Sequence, residues 1–137
     1  MIRYSYLWHS EYLRGQEEGV KDRPCAVVLL LQNEDGDDVV TVLPITHTPP
    51  SQSEAALAIE VPPVTKRRLG LDDERSWVVL TEANRFVWPG PDLRMARNGD
   101  PSSVVCGLLP EQLFERVRTT YHAALKARRS NLVHRTE

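Results

Sequence analysis

The sequence predicts a mainly β fold closed by one C-terminal helix. Three observations carry this. The apolar runs are short and separated by turn residues. An Asp35-Gly36 pair sits between two of them, a strong hairpin signal. Only the stretch from Pro110 to about Arg128 has apolar residues at helical spacing. Closely spaced strands joined by short turns suggest a small, strongly bent antiparallel sheet or barrel of five to seven strands. The 137 residues fit one domain, and 41% hydrophobic with 26% charged residues is an ordinary globular composition.

Tyr4 to Ser10 is rich in aromatic residues and reads as the first strand. Glu11 to Asp22 carries Gly15 and Gly19 among charges and reads as a surface loop. Cys25 to Leu31 is seven consecutive apolar residues behind Pro24, which predicts a strand buried on both faces. Val39 to Leu43 is its hairpin partner and runs on to Pro44-Ile45-Thr46. His47 to Ser53 is a proline- and hydroxyl-rich loop. Leu57 to Val61 is a short strand ended by Pro62-Pro63, which suits an edge. Val64 to Leu71 holds a helical turn closed by Gly70.

Ser76 to Leu80 is a further buried strand, and Thr81 to Trp88 continues it or bends away. Arg94 to Ser102 is turn-rich, and Val104 to Leu108 is a last short strand. Pro110-Glu111 then opens the helix, where proline and an acid suit the first turn. Leu113, Phe114, Val117, Tyr121, Ala124 and Leu125 form its apolar stripe. Residues 130–137 read as a frayed, flexible tail.

No apolar run reaches the ~20 residues that span a bilayer, and no signal peptide is visible, so a cytoplasmic protein without a membrane partner is expected. Cys25 and Cys106 stand singly, without the paired spacing of a zinc site. His9, His47, His122 and His134 show no ligand spacing, and no P-loop or dinucleotide motif is present. Neither a metal nor a cofactor is expected. The net charge of −2 speaks against a protein that binds nucleic acid through overall basicity.

Polar residues collect at strand ends. Arg23 precedes the second strand and Thr46 closes the third. Antiparallel pairing makes them neighbours at the rim opposite the Asp35-Gly36 turn. Glu17 or Glu18, and Glu82 or Arg85, are within reach of that rim. A cation, a hydroxyl and a carboxylate converging there suit a phosphodiester. Trp77 and Phe86 read as core, and Trp88 as exposed enough to stack on a base.

Lys21-Asp22-Arg23-Pro24-Cys25-Ala26-Val27-Val28-Leu29 with Val42-Leu43-Pro44-Ile45-Thr46 resembles the MazF/PemK toxins of type II toxin–antitoxin systems. Gly70-Leu71-Asp72 with Ser76 to Leu80 looks like a later strand of that family, and Gly107 to Leu113 like its entry into the C-terminal helix. The chain lacks the family's opening Gly-Asp pair. The resemblance implies an SH3-like barrel with a C-terminal helix, a homodimer, an antitoxin protein as partner, and metal-independent cleavage of single-stranded RNA by attack of the 2′-hydroxyl. Arg23, Thr46 and Glu18 take the catalytic positions in that reading. Lys21, His47, Arg67, Arg68 and Arg85 are the candidate RNA contacts. Two other readings keep the fold without cleavage: inhibition of a protein target such as gyrase, or an RNA- or protein-binding domain.

Overall fold

The computed structural model describes residues 1–16, 19, 22–90, 92–95, 99–100, 105 and 107–135. The strands are β1 (Ile2–Tyr4), β2 (Arg23–Gln32), β3 (Asp38–Thr46), β4 (Ala58–Glu60), β5 (Trp77–Val79), β6 (Glu82–Trp88) and β7 (Asn131–His134). The helices are α1 (His9–Leu13), α2 (Pro63–Arg68) and α3 (Glu111–Lys126), with a 3₁₀ turn over Gln52–Leu57. The protein is mainly β, with a C-terminal helix, and its strands form one mixed sheet that is not closed into a barrel.

The hairpin of β2 and β3 is the frame. Gly36 at φ 83° closes its turn, and Asn33 Oδ1 accepts from the Asp35 and Asp37 amides at 3.0 and 2.9 Å. Cys25 pairs with Pro44, and the register slips by one residue between Val27 and Leu29. That bulge marks a change in burial. Alternation up to it sends Ala26 and Val28 into one core, and Cys25 with Val27 into another. Beyond it Leu29, Leu30 and Leu31 are exposed, so β2 is buried on both faces only over its first half. An apolar run reports hydrophobicity, and how far the covering elements reach is a separate matter.

β3 carries two strands on its other side. β6 pairs along Asp38–Val42 and β5 along Ile45–Thr46, both antiparallel. Thr81 to Trp88 therefore continues the line of β5 after a break at Leu80-Thr81, and β4 adds to β5 as the edge strand. α2 ends at Arg68, with Gly70 at φ 69° just beyond it. α3 lays Leu113, Val117, Tyr121 and Ala124 on the Ala26–Val28 face. On the opposite face Ile2, Tyr4, Tyr6, Val42 and Phe86 form the second core, where Tyr4 stacks on Phe86 at 4.6 Å.

Three expectations are corrected. The first strand is Ile2–Tyr4, and His9–Leu13 is a helical turn, because Asn84 and Glu82 hold the backbone of Leu7 and His9 where a ladder strand would. The sheet is not wholly antiparallel, and the tail is not frayed over residues 131–135. β7 runs parallel to β6, from Glu82–Asn131 to Arg85–His134. Buried Arg135 then fastens it, with Nη2 2.7 Å from Asp92 Oδ2 and Nη1 donating to the Ser5 carbonyl at 2.9 Å. The short tail carries little apolar content and gives no strand signal, and residues 131–135 are anchored by the buried Arg135 side chain. Of the strand expected over Val104 to Leu108, Val104 and Cys106 lie outside the described residues, and Val105 makes an isolated bridge to Ile2. Among the described residues no helix is long and apolar enough to cross a membrane.

Candidate functional site

A cleft of ≈ 910 Å³ opens at the end of the hairpin opposite its turn. The β2–β3 register, continued two residues past the Cys25–Pro44 pair, sets Arg23 opposite Thr46, and both line the cleft. Glu82 lines it too, at the start of β6, as does Trp8.

Arg23 is half-buried. Nη1 donates to the Ile45 carbonyl at 3.3 Å, and Cζ lies 4.8 Å from the centre of the Trp8 ring. Nε is buried with no hydrogen-bond partner among the described residues. Most of the five donors of the guanidinium thus have no hydrogen-bond partner among the described residues. Burial draws its pKa down, while Cys25, Glu11, Tyr6 and Glu82 pull it up. Arginine stays charged under such shifts. Thr46 Oγ1 accepts from the Thr48 amide at 3.2 Å, which leaves its O–H free to donate.

Glu82 Oε1 accepts from the His9 amide at 2.8 Å and from the Tyr6 hydroxyl at 3.2 Å. Burial raises the carboxyl above its ordinary value, against the lowering effect of those two bonds. A carboxyl poised upward is a better proton carrier near neutrality than an exposed one. The same shift has a stability consequence. Between the ordinary carboxyl pKa and the raised one the folded state binds more protons than the unfolded state, so stability falls as pH rises through that window. Glu82→Gln is expected to flatten this slope. Urea midpoints of parent and variant, compared between about pH 4 and pH 7, measure it.

His47 and Asp72 bring a second polar group to the cleft lining. His47 Nε2 lies 2.8 Å from Asp72 Oδ2, and Nδ1 lies 3.1 Å from Glu74 Oε2. Buried Lys66 donates to Asp72 Oδ1 at 2.7 Å and to the Glu74 carbonyl. The Lys66 hydrogen bond is the largest influence holding the Asp72 carboxyl below its usual range. Lys66→Met should therefore raise the Asp72 pKa towards the ordinary value, as a carboxyl NMR titration would read. Among the described residues no group of three or more His, Cys, Asp or Glu side chains is arranged to hold a metal ion.

Of the residues singled out in the sequence, Arg23, Thr46, His47 and Glu82 come together at this cleft. Glu17, Glu18 and Lys21 lie outside the described residues. Arg67 and Arg68 are exposed on α2 and do not line the cleft. Arg85 turns away from it, donating from Nε to Thr41 Oγ1 at 3.2 Å. Phe86 is core, and Trp88 packs against the second core at 6.3 Å from Phe86, away from the cleft. Trp77 is buried and yet borders the cleft. Trp8 and Glu74 were not singled out in the sequence, and the pairing of Lys66 with Asp72 was not foreseen there, since each meets its partner through tertiary packing. No known family model, curated protein or solved structure matches the chain.

Proposed function

We propose that the protein is a metal-independent endoribonuclease that cuts single-stranded RNA, built as a divergent toxin of the MazF/PemK kind on a variant of the SH3-like barrel. The observation that supports it is the convergence of Arg23, Thr46 and Glu82 on one cleft large enough for more than a single nucleotide. Arg23 supplies uncommitted N–H donors for phosphate oxygens, and Thr46 a hydroxyl donor beside them. Glu82 takes the proton of the 2′-hydroxyl. The 2′-oxygen then bonds to phosphorus, the P–O5′ bond breaks, and the leaving 5′-oxygen takes a proton from solvent. The products are a 2′,3′-cyclic phosphate and a 5′-hydroxyl end. Arg23 balances the charge that builds on the phosphoryl oxygens. DNA lacks the attacking hydroxyl and would be spared. In this reading the protein is cytoplasmic, acts as a homodimer and is held in check by an antitoxin protein.

A second reading, an RNA- or protein-binding domain without cleavage, is favoured by the net charge of −2 and by the position of Arg67 and Arg68 outside the cleft. Incubating the pure protein with a mixed-sequence RNA and its DNA counterpart in EDTA separates the two. Cleavage of RNA alone, lost in Arg23→Ala, supports the nuclease. Intact RNA that nevertheless binds the protein supports the second reading.

A further inference from the structure

We propose that Trp8 is a positioning residue for the Arg23 guanidinium, and that the segment Tyr6–His9 sets the separation between that cation and the Glu82 carboxylate. The inference rests on the ribonuclease reading of the cleft.

Tyr6, Leu7 and Trp8 belong to no strand or helix, and His9 only begins α1. Three consecutive backbone N–H groups there are nevertheless held by three different side chains. Leu7 donates to Asn84 Oδ1 at 2.9 Å, Trp8 to Glu11 Oε1 at 3.0 Å, and His9 to Glu82 Oε1 at 2.8 Å. Asn84 also donates back to the Leu7 carbonyl at 2.8 Å. Asn84 is itself fully buried, and Arg135 Nη1 donates to its Oδ1 at 3.1 Å. An irregular segment so fixed presents its side chains as precisely as a strand does.

What it presents is the Trp8 ring, with the Tyr6 ring against it at 5.2 Å in an edge contact and the Arg23 guanidinium over its face at 4.8 Å. Among the described residues the Ile45 carbonyl is the one hydrogen-bonded partner of the Arg23 side chain. One bond leaves a long side chain free to swing about it. The indole face removes that freedom without consuming a donor, because the ring attracts the cation through its π system. The N–H groups stay available in the plane of the guanidinium for a phosphate. The same segment grips the carboxylate, since the His9 amide and the Tyr6 hydroxyl both bond Glu82 Oε1. Cation and carboxylate are thus referenced to one short piece of backbone. A displacement near 1 Å of either is enough to cost about 100-fold in rate.

The test compares Trp8→Leu, Trp8→Met and Trp8→Phe with the parent on an RNA oligonucleotide in EDTA, with unfolding midpoints measured in parallel. The expected result is a fall of about 10- to 100-fold in kcat for the Leu and Met variants with KM within about twofold. Phe keeps a π face and should restore most of the rate. Cleavage by Trp8→Leu and Trp8→Met within about threefold of the parent overturns the proposal while leaving the ribonuclease reading intact. So does an equal loss in all three variants. Unfolding of both non-aromatic variants under conditions where Trp8→Phe folds assigns Trp8 to the core and overturns the positioning role. An inert parent overturns the ribonuclease reading, and this inference with it.

Discussion

Arg135→Ala is expected to lower the unfolding free energy by about 3–5 kcal/mol, the cost of removing one member of a buried ion pair. The Arg135 side chain is 3% exposed and that of Asp92 10%, so water cannot take over the role of the missing guanidinium. The loss would not stop at Asp92. Arg135 also donates to the Ser5 carbonyl and to Asn84 Oδ1, and its Cζ lies 5.3 Å from the Tyr4 ring. Each acceptor left bare in a dry site adds to the penalty. A urea titration with an unchanged m-value and a lower midpoint would register this as stability, without a change in compactness. A loss below about 1 kcal/mol would mean that the tail does not hold the fold. The paired variant Arg135→Met with Asp92→Leu should recover much of the loss, because removing both charges removes the unpaired one.

The second large effect falls on activity. Arg23→Ala is expected to reduce RNA cleavage by about 100- to 1,000-fold or more, on the scale of removing one preorganised charge-stabilising donor. Among the described residues the Arg23 side chain makes one hydrogen bond, to the Ile45 carbonyl, so its loss is expected to cost the fold less than it costs cleavage. Arg23→Lys is the informative companion. It returns the charge but neither the fork of donors nor the flat face that rests on Trp8, so it should recover only a small part of the rate. Single-turnover cleavage of a defined RNA, read with the unfolding midpoint of each variant, separates chemistry from stability. Alanine within a few-fold of the parent would remove Arg23 from the reaction.

The hairpin was legible in the sequence because its causes are local. Asp35-Gly36 supplies the turn, and antiparallel pairing, continued past the Cys25–Pro44 pair, then sets Arg23 at the start of β2 across from Thr46 at the end of β3. The C-terminal helix was legible for the same reason, through Leu113, Val117, Tyr121 and Ala124 at helical spacing. Closure of the sheet is a different kind of property. It depends on how far each strand twists and where its edge finds a partner, and no single segment encodes that.

The burial of β2 shows where composition stops informing. Cys25 to Leu31 is apolar throughout, but α3 and the N-terminal aromatics cover only its first half, so Leu30 stands 61% exposed. His47 is the opposite case. The sequence marked it as a possible RNA contact, and it stands at the cleft, but with Asp72 and Glu74 already beside its ring nitrogens.

What the sequence determined by itself is the central hairpin with the turn that pairs its strands, the C-terminal helix, and the resulting adjacency of an arginine and a threonine at one rim. Those follow from backbone preferences that act over a few residues. Tertiary structure alone decided that Arg23 lies over the Trp8 ring, that Glu82 is among the carboxylates lining the cleft, and that β7 joins the sheet beside β6 with Arg135 reaching Asp92. These contacts join residues far apart in the sequence, and their energy comes from desolvated charge and ring contacts that exist only after the chain has packed.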